Sequence, residues 1–103
     1  MPLSQQDKKR FKTIAHHLKP VLIFGGQGLS EGFVEELQLR LEDHELIKVR
    51  VNAETREDRA AIIDALCEAG PCELVQRIGA IAILYRAAKR PNPKLSNLLR
   101  LPS

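Results

Sequence analysis

Apolar positions along the chain change period several times, and each change marks an element. Phe11, Ile14, Ala15 and Leu18 recur at helical spacing, which predicts a helix over about residues 5–17. Ser4 followed by Asp7 forms a capping box with Asp at the third helical position. Pro20 ends the segment, because the residue before a proline is pushed out of the α region. Val21-Leu22-Ile23-Phe24 is then an unbroken apolar run ending at glycine, the pattern of a short strand buried on both faces. After Gly25-Gly26-Gln27-Gly28, Ser30 stands as an N-cap, and Leu29, Phe33, Leu37 and Leu41 fall four apart with Val34 beside them. A second helix follows from this spacing, with Glu31, Glu35, Glu36, Glu42 and Asp43 on its outer face.

The second half alternates in the same way. Ile47, Val49 and Val51 alternate with Lys48 and Arg50, the period-two signature of a strand with one wet face. Thr55 and Asp58 open a third helix through Ala61, Ile62, Ala65, Leu66 and Ala69, and Gly70-Pro71 stop it. Residues 72–78 and 80–86 read as two strands joined at Gly79, whose place at the first central position suits a type II′ hairpin. The expected fold is α/β, an α+β sandwich of order α-β-α-β-α-β-β. A strand–helix–strand crossover implies parallel pairing and the closing hairpin antiparallel pairing, giving a mixed four-stranded sheet packed with helices. Pro91, Asn92, Pro93 and Asn97 break any regular pattern after Ala87, so residues 1–86 are expected as the domain and 87–103 as a basic, flexible tail.

Length agrees with one domain: 103 residues cannot be divided into two pieces that each bury a core. No apolar run approaches the roughly 18 residues of a membrane span, and the start lacks the basic-then-apolar pattern of a secretory signal. Cys67 and Cys72 do not make a disulfide framework, which points to a reducing, cytoplasmic compartment. The net charge of +3 is small. Divided by segment it is not: residues 1–20 carry +4, residues 21–44 carry −4, residues 45–69 carry −2, and residues 87–103 carry +4. Two basic ends around an acidic middle raise the prospect of a polyanionic partner.

The candidate chemistry sits at residues 25–28. A strand that ends in Gly-x-x-Gly and reopens as a helix lets a nucleic-acid backbone approach where no Cβ intervenes. The helix start adds N–H donors and the positive end of its dipole. An RNA-binding KH module clamps about four nucleotides with such a loop. Other readings of the loop are weaker. Gly25-Gly26-Gln27 spells the tripeptide with which release factors hydrolyse peptidyl-tRNA, but its flanks differ. Gly26-Gln27-Gly28 with Gly32 is one residue too long for a dinucleotide fingerprint. No Gly-Lys-Ser/Thr supports a P-loop. His16, His17 and His44 with the two cysteines lack metal-ligand spacing, and no nucleophile–base set stands out. A non-enzymatic protein with no cofactor and no metal is expected. A second reading is an adaptor that docks a protein through the acidic second helix and the leucine-bearing tail.

The larger pattern is more specific. His17-Leu18-Lys19-Pro20, Gly25-x-x-Gly28-Leu29-Ser30-Glu31-Gly32, His44-Glu45-Leu46-Ile47-Lys48-Val49, and Ile78-Gly79 leading to Leu84-Tyr85-Arg86 resemble the bacterial YhbY family of stand-alone CRM domains. The resemblance runs from about Leu3 to Arg86 in order and spacing. It implies an RNA-binding domain shaped like the C-terminal domain of translation initiation factor three and associated with ribosomal RNA in large-subunit precursors; a monomer is expected. The family's glycine loop falls on Gly25 and Gly28, and its basic positions on Lys19, Lys48 and Arg86. Many relatives carry a basic residue after the hairpin glycine, where this chain has Ala80. The expected RNA-contacting set is Gly25, Gly26, Gln27 and Gly28 with Lys8, Lys12, Lys19, Lys48, Arg50 and Arg86, the helix-one lysines flanking the loop. With one Tyr and no Trp, RNA would be gripped through its backbone rather than by a row of stacked bases.

Overall fold

In the computed structural model, which describes residues 3–25 and 28–99, each local signal is met by its contact. Ser4 Oγ accepts from Asp7 N at 3.0 Å, Ser30 Oγ from Phe33 N at 3.1 Å and Thr55 Oγ1 from Asp58 N at 3.0 Å. These caps open α1 (Gln5–Ala15), α2 (Glu31–His44) and α3 (Arg56–Ala69). The strands are β1 (Pro20–Phe24), β2 (Leu46–Val51), β3 (Glu73–Ile78) and β4 (Ile81–Tyr85). Their order in the sheet is β1-β2-β4-β3, with β1 and β2 parallel and the other neighbours antiparallel. Gly79 turns the β3–β4 hairpin at φ +56°, a left-handed value that favours glycine.

The alternation in β2 divides the core in two. Ile47, Val49 and Val51 face α2 and α3 and pack with Phe24, Leu37, Leu41, Ile63 and Leu66. Leu46 lies on the other face with Phe11, Ala15, Val75 and Ile83, under α1. Phe11 also meets Tyr85, with ring centroids 4.7 Å apart.

One expectation is corrected by this packing. The run 21–24 is not buried on both faces: β1 is an edge strand, and Ile23 is 62% exposed on the face that α1 leaves uncovered. Gly70 stops α3 as expected, in right-handed conformation at φ −53°. Space rather than dihedral freedom restricts it, since a Cβ there would lie 2.9 Å from Cys72 Sγ.

The segment after Arg86, expected as a flexible tail, makes specific contacts with the domain. Residues 87–99 lie against the domain. Ser96 and Asn97 are buried; Ser96 Oγ donates to Glu45 Oε1 at 2.7 Å, and Asn97 Nδ2 to Leu46 O at 2.7 Å. Glu45 is the receptor for this clasp. Its backbone turns out of α2 at φ +63°, and its carboxylate also accepts from Ala88 N at 2.9 Å. Of the tail, Arg100 to Ser103 lie outside the described residues.

Candidate nucleic-acid interface

Strand direction decides what surrounds the glycine loop. Phe24 lies opposite Val51, so the chain leaves the parallel strands β1 and β2 at the same end of the sheet. Arg50 pairs with Ile81, which brings the β3–β4 hairpin to that end as well. The first turns of α2 and α3 follow directly from these strand ends. In open α/β sheets, ligands bind outside the carboxyl ends of the strands.

Gly25 and Gly28 are exposed there. A Cβ at either position would meet no heavy atom within 4 Å. Gly28 has φ +83°, which favours glycine on conformational grounds, whereas Gly25 lies outside the left-handed region. Neither packing nor dihedral demands glycine at Gly25. Gly26 and Gln27, the middle of the expected loop, lie outside the described residues. Behind the loop, Phe24 and Phe33 meet edge to face with centroids 5.4 Å apart, which fixes the end of β1 against the start of α2.

A groove of about 690 Å³ opens between the loop and α3. Its apolar floor is Phe24, Ala61 and Ile62, and its polar wall is Asn52, Glu54 and Asp58. Carboxylates repel phosphate oxygens but accept hydrogen bonds from the amino groups of bases. The groove therefore suits a base better than a phosphate, while the loop offers exposed backbone.

The expected cations are distributed otherwise than their order in sequence suggested. Arg50 is exposed at the loop end of β2, where its Nε donates to Asn52 Oδ1 at 3.3 Å. Lys19 is exposed too, but it precedes β1 while Gly25 follows it. Six positions at about 3.3 Å each put them roughly 20 Å apart. Lys8 and Lys12 ride on α1, which packs on Leu46, Val75, Ile83 and Tyr85 rather than on the loop end. Lys48 turns inward: its Nζ donates to Leu18 O at 3.0 Å, tying the chain after α1 to β2. Arg86 lies at the end of the sheet opposite the loop. Its guanidinium donates to Gly70 O and to Gln38 O and pairs with Glu42 at 3.6 Å, linking α2, α3 and β4. Of the six expected cations, the fold brings only Arg50 to the glycine-loop end.

Other cations do reach that end. Arg56, Arg59 and Arg77 line a cleft with the hairpin Gly79, beside the first turn of α3. Charge counted by segment concealed them, because Arg56 and Arg59 lie in a stretch of net −2. Strand direction was the signal that could have found them, since a parallel pair followed by a hairpin puts residues 52–59 and 77–81 at the loop end.

Cys67 and Cys72 share a thiol–thiol hydrogen bond that lowers the pKa of Cys67 and raises that of Cys72. The hydrogen bond between the two thiols, with burial second, pushes Cys72 well above the usual thiol range, so it is no thiolate nucleophile at neutral pH. Among the described residues no three His, Cys, Asp or Glu side chains are grouped to hold a metal ion. Nor, among them, is any helix long and apolar enough to cross a membrane.

Comparison with known proteins gives a consistent picture. A Pseudomonas aeruginosa protein named "Probable RNA-binding protein" is 51% identical over 100 residues, covering 97% of this chain and 96% of that one. A Haemophilus influenzae protein named "RNA-binding protein" is 42% identical over 93 residues, covering 90% and 94%. The solution structure of a hypothetical Staphylococcus aureus protein, described as a candidate RNA-binding protein, superposes with a TM-score of 0.75 at 32% identity, covering 86% of this chain and 93% of that one. The CRS1/YhbY (CRM) domain model matches residues 3–86. With the α-β-α-β-α-β-β order and the glycine loop at the strand ends, these matches establish that the chain belongs to the CRS1/YhbY (CRM) domain family.

Proposed function

We propose that this protein is a non-enzymatic RNA-binding protein that contacts the RNA backbone at Gly25–Gly28 and assists assembly of the large ribosomal subunit in the cytoplasm as a monomer. The observation that carries the loop reading is the open backbone at Gly25, where glycine is present although neither packing nor conformation requires it. A missing side chain at an exposed strand end leaves peptide N–H groups approachable by phosphate. Arg50 supplies a cation nearby, and the names of the relatives give RNA as the class of partner. The ribosomal part of the reading rests on the family resemblance.

Gly25→Asp tests the loop, because a side chain there meets no protein atom and the fold has no reason to change. The variant is expected to unfold at the wild-type temperature and to lose most of its affinity for ribosomal RNA in a fluorescence titration. A folded variant that binds unchanged would remove the loop from the interface. Crosslinking in cells followed by sequencing of the attached RNA tests the ribosomal assignment; reads spread over messenger RNA, with no large-subunit enrichment, would refute it.

A further inference from the structure

The arginine cleft at the hairpin has no part in the loop reading above. It measures about 530 Å³ and is lined by Arg56, Glu57, Arg59, Ala60, Arg77 and Gly79. Its three guanidinium groups come from two elements, α3 and β3. Arg59 is anchored, with Nε 3.3 Å from Val51 O and Nη2 3.5 Å from Ala53 O. Arg56 and Arg77 form no side-chain hydrogen bond or ion pair among the described residues. Glu57 is the one acid lining the cleft, so three cations face one anion.

Like charges gathered on one concave surface repel one another and focus a positive potential outward. In this chain the ion pairs among the described residues lie elsewhere, at Arg40–Glu36 and Arg86–Glu42. The positive end of α3 adds to the same field. Guanidinium forks match the paired oxygens of a phosphodiester, which they bind bidentately. The cleft and the groove of the glycine loop flank the first turn of α3. Glu54 and Asp58 face the groove, and Arg56 and Arg59 face the cleft.

Resting on the RNA-binding reading, we infer that the Arg56–Arg59–Arg77 cleft is a second phosphate-binding site, which holds the RNA backbone after it has crossed the first turn of α3 from the glycine loop. The two sites divide the work. Gly25 and Gly28 admit backbone by lacking side chains, the acidic groove beside them is unfavourable to phosphate, and the cleft supplies positive charge. The cations that matter for RNA are thus the internal arginines, not the basic ends.

The experiment measures affinity for a short single-stranded RNA, and for its duplex, across a salt series. Wild type is compared with Arg56→Gln/Arg77→Gln, leaving Arg59 in place because it holds two backbone carbonyls. Each lost phosphate contact lowers the slope of log K against log salt by about 0.7 for single strands or about 0.9 for duplex. The double variant is therefore expected to lose about 1.4 from the single-strand slope at an unchanged unfolding temperature. Glu57→Gln is expected to strengthen binding.

If the double variant keeps the wild-type slope while Gly25→Asp abolishes binding, the cleft inference fails and the loop reading survives. If wild type binds neither RNA, the functional reading itself fails. Inorganic phosphate forms the remaining arm. Protection of wild type against heat by phosphate, absent in the double variant, together with an unchanged RNA slope, would make the cleft a site for a free anion and overturn its assignment to RNA.

Discussion

Ser96→Ala is the sharpest test of whether the chain beyond Arg86 belongs to the cooperative domain. Ser96 is fully buried. Its Oγ donates to the Glu45 carboxylate at 2.7 Å and accepts from Leu98 N at 3.2 Å. Alanine keeps nearly the same volume and leaves no cavity of note, so the change reads hydrogen bonding alone. A hydrogen bond to a charged group contributes about 1.5–3 kcal/mol, and removing it leaves a buried acceptor short of a donor. A loss of about 2 kcal/mol is expected, which in a domain of this size lowers Tm by roughly 8 °C. Urea unfolding followed by circular dichroism measures it as a lower midpoint with unchanged slope. Lys94→Ala, at an exposed position of the same segment, is the control and should stay within about 0.5 kcal/mol of wild type. A wild-type midpoint for Ser96→Ala, or for a chain ending at Arg86, would refute the docked segment and restore a domain of residues 1–86 with a free tail.

The remaining predictions concern residues expected on the RNA surface and the acid side of stability. Arg86→Ala should cost about 2 kcal/mol, since it removes bonds to Gly70 O and Gln38 O and the Glu42 pair, and should leave the RNA affinity of the folded protein unchanged. Lys48→Met should do the same with a smaller loss of about 1 kcal/mol, because its bond to Leu18 O is internal. Affinity lost without stability, in either variant, would return that residue to the interface. Glu42 is held below the usual carboxylate range first by the N–H of Arg90 and then by that of Lys89. A lowered folded pKa means this stabilisation is complete above the ordinary carboxylate value, about 4.3, and is lost as pH falls through the folded value. Amide-exchange protection at Lys89 and Arg90 should therefore fall from about pH 4.3 downward and be weak in Glu42→Gln at neutral pH. Protection that ignores both changes would show that the carboxylate does not hold this stretch.

Much of the fold was legible because its signals are local. A hydroxyl at an N-cap binds an amide three residues away, so Ser4, Ser30 and Thr55 announce their helices wherever these pack. Period-two alternation in β2 named both of its faces, and Gly79 named the hairpin. The run 21–24 was misread for the opposite reason. Four apolar residues satisfy a buried strand and an edge strand equally, and strand order decides which one forms. The buried clasp of Ser96 and Asn97 was hidden because polar residues near prolines have the composition of a loop. Their partners, Glu45 and Leu46, lie 51 positions away.

For the site, the sequence by itself determined the glycine loop, since a strand ending in Gly-x-x-Gly before a capped helix is written within ten residues. Only the tertiary structure decided which charges lie beside it. Lys19 and Gly25 are six positions apart yet stand at opposite ends of β1. Arg56 and Arg77, 21 positions apart, line one cleft, because α3 starts from the carboxyl end of β2 and the antiparallel hairpin turns at that same end. A strand carries its two ends about 3.3 Å apart for every residue it contains, whereas pairing brings distant segments within one hydrogen bond of each other. Charge counted along the chain therefore says how much is present, and strand direction says where it acts.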